Sequence, residues 1–275
     1  MIKQVSVLFY LLFILTPAKG EEIFAERLWQ AHQQRQPTPH FSAFQATASE
    51  TEAYQIQQQY VQLRQVSDPI AGYKAGLTST AGQRKFGVSQ ALSAVLFDSG
   101  HIAHPQAISL QQAGKLMVET ELGFILAKSI SQPVTGRAEL IQLVESVVAV
   151  IELPDLGYQD LGQLNGVDLI AANVASHQYL VGEKLPLSQL DDINQIATTL
   201  SFNHHVLFNG KASDALGDQW QALQWLINQL IAQGYQLSAG ELLITGALGK
   251  MVPAQVGAYR AQFGPLGSLE FRIIP

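Results

Sequence analysis

Three glutamates carry the pattern most suited to chemistry. Glu119 and Glu121 lie two apart in the run Leu116–Leu126, where Val118, Thr120, Leu122, Phe124 and Leu126 occupy the alternate positions. Residues two apart in a strand share a side, so the pair projects from one face roughly 7 Å apart and repels unless water or a cation intervenes. Glu152 closes the run Val147–Ile151. That run is apolar on both faces and reads as a buried strand, so a carboxylate at its mouth must be solvated, paired or metal-bound. Three converging carboxylates suit a hard, oxygen-seeking ion such as Mg²⁺ or Mn²⁺. The same residues also fit the solvated face of an edge strand and a strand-end glutamate reaching water, and spacing alone leaves both readings open.

Other chemistries find no support. The 275 residues include no Cys, which excludes thiol catalysis, disulfide frameworks, Cys-ligated zinc and cysteine lipidation. There is no G-x-S-x-G elbow and no G-x-G-x-x-G motif, and the seven histidines lack H-E-x-x-H spacing. Gly246–Lys250 is too short for a phosphate loop. His204 and His205 fall in an expected strand, where neighbours face opposite sides and cannot chelate one ion together. With 16 basic against 22 acidic residues and no basic run, nucleic acid is not an expected partner. At 47% hydrophobic and 14% charged, the chain has the makeup of a folded globular protein.

The elements that must position these groups begin after a distinct N-terminus. Lys3, the apolar run Val5–Leu15 and the small residues Ala18 and Gly20 form a secretory signal pattern over 1–20, too short for a membrane span. The expectation is a periplasmic or secreted protein, with cytoplasmic residence the alternative. Residues 21–69 are expected to be helical, in two helices at Ile23–Gln36 and Ser49–Val66 separated by Pro37-Thr38-Pro39. Residues 70–275 read as a β-rich body. Strands are expected at Gly72–Leu77, Val95–Phe97, Leu116–Leu126, Val147–Glu152, Leu169–Val174, Phe202–Phe208, Glu241–Thr245 and Ser268–Ile274. Helices are expected at Ala138–Glu145 and at Asp218–Gln233, the latter stopped by Gly234. The fold class is α+β.

Over most of the chain after residue 20, segments in order resemble the hydratase/decarboxylase branch of the fumarylacetoacetate hydrolase superfamily, typified by 2-oxopent-4-enoate hydratase of aromatic catabolism. Gly72-Tyr-Lys-Ala-Gly-Leu-Thr-Ser79 resembles the family's Gly-x-Lys-x-Gly-Leu-Thr-Ser segment, and Phe86-Gly-Val88 and Val95-Leu-Phe-Asp98 follow it. Glu119-Thr-Glu121 fits the Glu-x-Glu metal pair, and Glu152 with Asp155 fits the third-ligand segment. Asn173 with Ala175 and Ser176, then Trp225-Leu226, Gly234–Gly246 and Leu266-Gly-Ser268, complete the match. The substrate-facing segments depart from the pattern at Gln90–Ala94, Ala172, Gly157, Glu241 and Ala247.

The resemblance implies a mixed β-roll, a Mg²⁺ or Mn²⁺ ion on Glu119, Glu121 and Glu152, and a small 2-oxo acid substrate gripped by that ion. It implies Lys74 as a substrate-binding or proton-transfer group, against a surface lysine snorkelling from its strand. Asp98 becomes a candidate proton carrier, against a plain turn residue. Thr78, Ser79, Asn173, Thr245 and Gly246 become candidate substrate contacts, against turns and caps. Homo-oligomers are common in the family. The implied activity is a hydro-lyase on a 2-oxo-enoate or 2-hydroxy-dienoate. The alternatives are decarboxylation of a 4-oxalocrotonate-like acid and an exported, non-catalytic oxo-acid-binding role. A further one, C–C hydrolysis, would need a base such as His101 or His104.

Overall fold

The computed structural model describes residues 19–103 and 107–275. The signal reading of 1–20 therefore falls outside the described residues except for Lys19 and Gly20, which open the first helix. Helix α1 (Lys19–Gln33), the single turn α2 (Phe41–Phe44) and α3 (Glu50–Gln65) precede the first strand. The second expected helix is fixed at its start by a capping box, in which Ser49 accepts the Glu52 N–H and the Glu52 carboxylate accepts the Ser49 N–H. Phe24 and Phe41 bury against each other, and Tyr54, Ile56, Tyr60 and Val61 of α3 join the main core. Among the described residues, no helix is long and apolar enough to cross a membrane.

Then come β1 (Ile70–Gly76), α4 (Thr80–Phe86), β2 (Leu92–Phe97), β3 (Ile108–Ser109), β4 (Met117–Leu126), α5 (Arg137–Leu143) and β5 (Val144–Leu153). After them lie α6 (Gly166–Ala171), β6 (Gln178–Val181), β7 (Leu185–Pro186), β8 (Ala197–Phe202) and β9 (His205–Lys211). The chain ends with α7 (Gln219–Ala232), β10 (Leu242–Ile244), β11 (Val252–Pro253), β12 (Gly257–Gln262) and β13 (Ser268–Ile274).

One sheet runs β2-β1-β10-β4-β5-β6, with β11 added to β4 and β7 to β5; a second runs β3-β13-β12-β8-β9. The first sheet curls on itself. Its two outermost strands meet again where the Tyr179 hydroxyl of β6 donates to the Phe97 carbonyl of β2, and where Ile102 N–H donates to the Tyr179 carbonyl. The registers Lys74↔Ile244, Ile244↔Gly123, Gly123↔Val148 and Glu152↔Tyr179 define which side chains share the inner face. Leu96, Ile125, Val148, Val150, Tyr179, Leu242 and Ile244 form a separate buried cluster on that face, which plugs the roll with hydrocarbon. The mixed β-roll expected from the resemblance is therefore the observed architecture.

Two expected strands are corrected. Leu169–Val174 is α6 followed by a 3₁₀ turn, because Asn165 caps a helix by accepting the Asp168 N–H while Asp168 answers with its carboxylate. Full burial of Leu169, Ile170 and Ala171 removes the polar side of the helix, which is why the run imitates a strand. Phe202–Phe208 is a hairpin rather than one strand. Asn203 and His204 form its turn with φ of 46° and 69°, so His204 belongs to no strand. The expected helix at Ala138–Glu145 yields to β5 already at Val144.

The hairpin yields a test. A left-handed residue with a Cβ costs about 1–2 kcal/mol, and the exposed His204 ring makes no hydrogen bond there among the described residues. His204→Gly is expected to stabilise the fold by about 1 kcal/mol in urea denaturation without changing metal affinity. Asn203 is left in place because its Oδ1 accepts the Ala258 N–H at 3.0 Å.

Candidate metal centre

At the mouth of the roll, beyond the hydrocarbon plug, the inner face changes character. Glu119 of β4 sits directly opposite Glu152 of β5, and Glu121 lies one pleat further along β4. Each offers a carboxylate oxygen within 4.8 Å of the other two. Glu121 and Glu152 are both 1% exposed, while Glu119 is partly open. The solvated-edge alternative therefore fails: β4 is an interior strand flanked by β10 and β5.

Lys74 approaches from β1. Its ammonium donates to Glu152 Oε1 in a short contact and to the Val174 carbonyl at 3.2 Å. The reach crosses the roll, since β10 and β4 stand between β1 and β5 in the sheet. Lys74 is 2% exposed, so the surface-lysine alternative also fails. Burial by itself disfavours the ammonium, but Glu152, Glu119 and Glu121 outweigh it and raise the Lys74 pKa.

One lysine does not balance three glutamates. At an effective dielectric near 20, two carboxylates about 5 Å apart repel by about 3 kcal/mol. Burial first, and then the Glu152 charge, push Glu119 up to about 7. Burial, Glu152 and Glu119 together raise Glu121 well above the ordinary carboxylate range. Two oxygens in this cluster, Glu121 Oε1 and Glu152 Oε2, are buried and lack a hydrogen-bond partner among the described residues. Unpartnered buried carboxylate oxygens are costly, and here both belong to a set that converges on one gap. The residues fit a divalent ion. Such an ion would cancel the remaining two charges and take the open lone pairs, with Glu119, Glu121 and Glu152 as its holders.

The other candidate residues divide into groups. Gly246 donates its N–H to Glu121 Oε2 at 2.8 Å, so that donor orients a carboxylate. Gly246 has φ of +106°, and a Cβ there would fall 2.5 Å from Thr78, which makes glycine necessary for this approach. Thr78 is buried against it. The Thr245 hydroxyl points to Gln219 Oε1 at 2.6 Å and also lies 3.2 Å from the Leu122 carbonyl, so it is engaged with protein partners. Asn173 spends its amide on both backbone groups of Val95, accepting at 2.8 Å and donating at 2.9 Å. Ser79 is an exposed cap of α4, accepting the Gly82 N–H.

The structure does not bring Asp98 to the carboxylates. It is exposed after β2, four residues past Ala94, the register partner of Lys74, and so roughly 13 Å away along the strand. Asp155 gives its carboxylate to the N–H groups of Gly114, Lys115 and Gly157 and organises a loop. Asp98 is a candidate because it follows the strand paired with β1, yet it leaves that strand at the end away from Ala94, the partner of Lys74. Asp155 belongs to the third-ligand segment, but its carboxylate is taken up by its own loop.

Two contributors escaped the sequence reading. The Val174 carbonyl holds Lys74, and it can do so because Asn173, Val174 and Ala175 all adopt left-handed φ, at 56°, 49° and 55°. A β-branched residue there is strained, and no residue-type signal announces it. Gln219, fully buried at the start of α7, bonds Thr245 and, through Nε2, the Ala212 carbonyl at 2.6 Å. It thereby fixes the strand end that presents Gly246, and a lone Gln gives no sequence signal for such a role.

The pKa shifts have a measurable consequence. Without an ion, stability falls as pH rises from the ordinary carboxylate range toward about 7, because the folded chain keeps protons on Glu119 and Glu121 that the unfolded chain has released. Ion binding must displace those protons. Mg²⁺ at about 100 times its Kd is expected to stabilise the chain by about 2.7 kcal/mol at pH 8. The gain should shrink at pH 6 and vanish in Glu121→Gln. Calorimetric melting with and without Mg²⁺ measures all three, and an equal gain at both pH values would contradict the assigned titrations.

Comparison with known proteins agrees with this geometry. Residues 62–274 match the model of the fumarylacetoacetate (FAA) hydrolase C-terminal family. The chain is 31% identical over 250 residues to a 2-keto-4-pentenoate hydratase of Paraburkholderia phymatum, covering 90% of this chain and 95% of the relative. It is 32% identical over 221 residues to a 2-keto-4-pentenoate hydratase of Burkholderia vietnamiensis, covering 80% and 84%. A solved structure of 4-oxalocrotonate decarboxylase from Pseudomonas putida G7, complexed with magnesium and adipate, superimposes with a TM-score of 0.88 over 94% of this chain and 99% of that one, at 20% identity. A curled sheet with three acidic side chains at its mouth, matched in sequence across both sheets, places the chain in the fumarylacetoacetate hydrolase family.

Proposed function

We propose that this chain is a divalent-metal-dependent hydro-lyase that adds water to a short 2-oxo-enoate or its 2-hydroxy-dienoate tautomer, such as 2-oxopent-4-enoate. The observation that carries the reading is the pair of unpartnered buried oxygens on Glu121 and Glu152, in a cluster whose three carboxylates, Glu119 included, come within 4.8 Å of one another. The two hydratase relatives, each above 30% identity, point to the same chemistry. Mg²⁺ or Mn²⁺ is the ion this donor set favours, since all donors are hard oxygens. When bound, such an ion supplies a Lewis acid that stabilises negative charge developing on the 2-oxygen of an α-keto acid.

The chain's own groups do the rest. Lys74 stands as an ammonium between Glu152 and the Val174 carbonyl, so it can bind an anionic substrate group and give up a proton, but cannot accept one in that state. Glu119 is the carboxylate nearest solvent, with a pKa of about 7 in the ion-free cluster. Leu96, Val150 and Ile244 wall off the deep end and keep bulk water to the mouth. Gly246 and Thr245 hold Glu121 and its strand end in place.

The test uses the purified chain with Mg²⁺ and 2-hydroxypenta-2,4-dienoate, following loss of the dienoate absorbance. Glu119→Gln and Glu121→Gln are each expected to remove the metal-dependent rate. Lys74→Met is expected to lower kcat by at least about 100-fold, the scale of a positioned proton donor. Rates unchanged in both glutamine variants would reject the proposal. A second reading, decarboxylation of a 4-oxalocrotonate-like acid, is favoured by the structural likeness to that decarboxylase and is separated by measuring CO₂ release. A non-catalytic binding role predicts ligand-induced thermal stabilisation without turnover.

Export is part of the proposal and rests on the sequence of residues 1–20. Cell fractionation with N-terminal sequencing is expected to give a chain beginning at Glu21 outside the cytosol. An unprocessed Met1 in the cytosolic fraction would overturn it.

A further inference from the structure

Val174 holds Lys74 with a backbone that would not take this shape unaided. Asn173, Val174 and Ala175 stand in succession in left-handed backbone, with φ of 56°, 49° and 55°. Asparagine tolerates that region through its short polar side chain. A β-branched valine does not, and neither Val174 nor Ala175 has a polar side-chain group to offset the cost. Such strain persists only where the surroundings over-determine the conformation.

Here the surroundings are three side-chain bonds on one residue of β2. The Val95 N–H donates to Asn173 Oδ1 at 2.8 Å, and the Val95 carbonyl accepts from Asn173 Nδ2 and from Ser176 Oγ, both at 2.9 Å. Because β2 is the end strand of the first sheet, its outward backbone groups must find partners beyond the ladder. Val95 directly follows Ala94, the register partner of Lys74. The turn also packs on β1 itself, since a Cβ on Gly76 would fall 2.7 Å from Val174 Cγ1. On its other side, the Ala175 carbonyl accepts the Asp155 N–H at 2.9 Å, just past the end of β5.

The segment then enters β6, where Tyr179 pairs in register with Glu152. Residues 173–179 thus reach both members of the Lys74–Glu152 ion pair, from the Val174 carbonyl at one end and from Tyr179 at the other. With its ammonium divided between that carbonyl and Glu152 Oε1, Lys74 leaves Glu121 Oε1 and Glu152 Oε2 without a partner. An ammonium carries three donors. Were the carbonyl withdrawn, the freed donor would compete for the carboxylate lone pairs that a divalent ion needs.

We propose that Asn173 is a positioning residue for the metal centre: its amide, clamped on Val95, holds the left-handed turn that keeps Lys74 on the Val174 carbonyl and leaves the glutamate oxygens open to an ion. The proposal rests on the three glutamates as holders of an ion and not on the reaction that follows. Its test is calorimetric titration of the full chain with Mg²⁺ at one pH. Asn173→Ala is expected to weaken Mg²⁺ binding about tenfold, the lower end of what losing an outer-shell partner costs. Ser176→Ala removes one of the three bonds to Val95 and is expected to weaken binding about threefold; it decides the matter if Asn173→Ala fails to fold. The control is Asn228→Ala. Asn228 of α7 clamps Val134 in the same way, accepting its N–H at 2.7 Å and donating to its carbonyl at 2.9 Å, and makes no bond to Lys74 or the three glutamates among the described residues. Its loss should lower the melting temperature without altering Mg²⁺ affinity.

A second readout needs no ion. Lys74 should resist amidination by methyl acetimidate, followed by peptide mass spectrometry, in the unsubstituted chain and in Asn228→Ala. In Asn173→Ala it should react about tenfold faster, because the turn that holds it opens locally. If the unsubstituted chain binds no Mg²⁺, the reading of the glutamates as ion holders fails, and the labelling still judges the clamp. The proposal is overturned if Asn173→Ala, or Ser176→Ala in its place, only lowers the melting temperature and matches Asn228→Ala in Mg²⁺ affinity. Equal labelling of Lys74 in the clamp variant and the control overturns it as well.

Discussion

The structure turns on an imbalance of charge inside a closed sheet. Curling brings Glu119, Glu121 and Glu152 within 4.8 Å of one another, away from bulk water, and supplies a single ammonium to answer them. A buried ion pair alone contributes little to stability, because the desolvation of both partners offsets their attraction. Lys74 and Glu152 make sense as half of an arrangement completed by a cation. The remaining local features follow from that need: the glycine at 246 that lets a backbone N–H reach Glu121, and the strained turn that aims the Val174 carbonyl at Lys74. Each fixes a donor or acceptor so that little reorganisation is left for the moment of binding.

Much of this could be read in the residues. The glutamates announced themselves through period-two alternation in β4 and the two-sided apolarity of β5, both of which are local patterns. The Ser268–Ile274 strand was legible for the same reason, since one face of the second sheet is wet and the other buried. The helix over Gln219–Ala232 was legible through its apolar stripe and its stop at Gly234. Resemblance then supplied the roll, which no local pattern specifies: the closure of β6 onto β2 rests on contacts 82 residues apart in sequence.

What stayed hidden has physical causes. Periodicity fails where an element is buried on all sides, so α6 looked like a strand. It fails again where non-glycine residues adopt left-handed backbone, as at Asn203-His204 and at Asn173-Val174-Ala175, because residue type gives no warning. Side-chain roles were harder still. Thr245 and Asn173 are polar residues near a site, and a sequence cannot say whether their hydrogen bonds go to a ligand or to protein groups. Here Gln219 and the Val95 backbone claim them.

The hydrocarbon stopper of Leu96, Ile125, Val148, Val150, Leu242 and Ile244 makes the roll a blind alley. Gly123 has no space to spare there, with Leu242, Val148 and Val150 all within 3 Å of where a methyl would stand. The carboxylates are thereby closed off on the Gly123 side, and the partly exposed Glu119 marks the side on which they meet solvent. An ion or ligand that reaches Glu121 and Glu152 therefore has one side to come from, which ties arrival and departure to the same carboxylate.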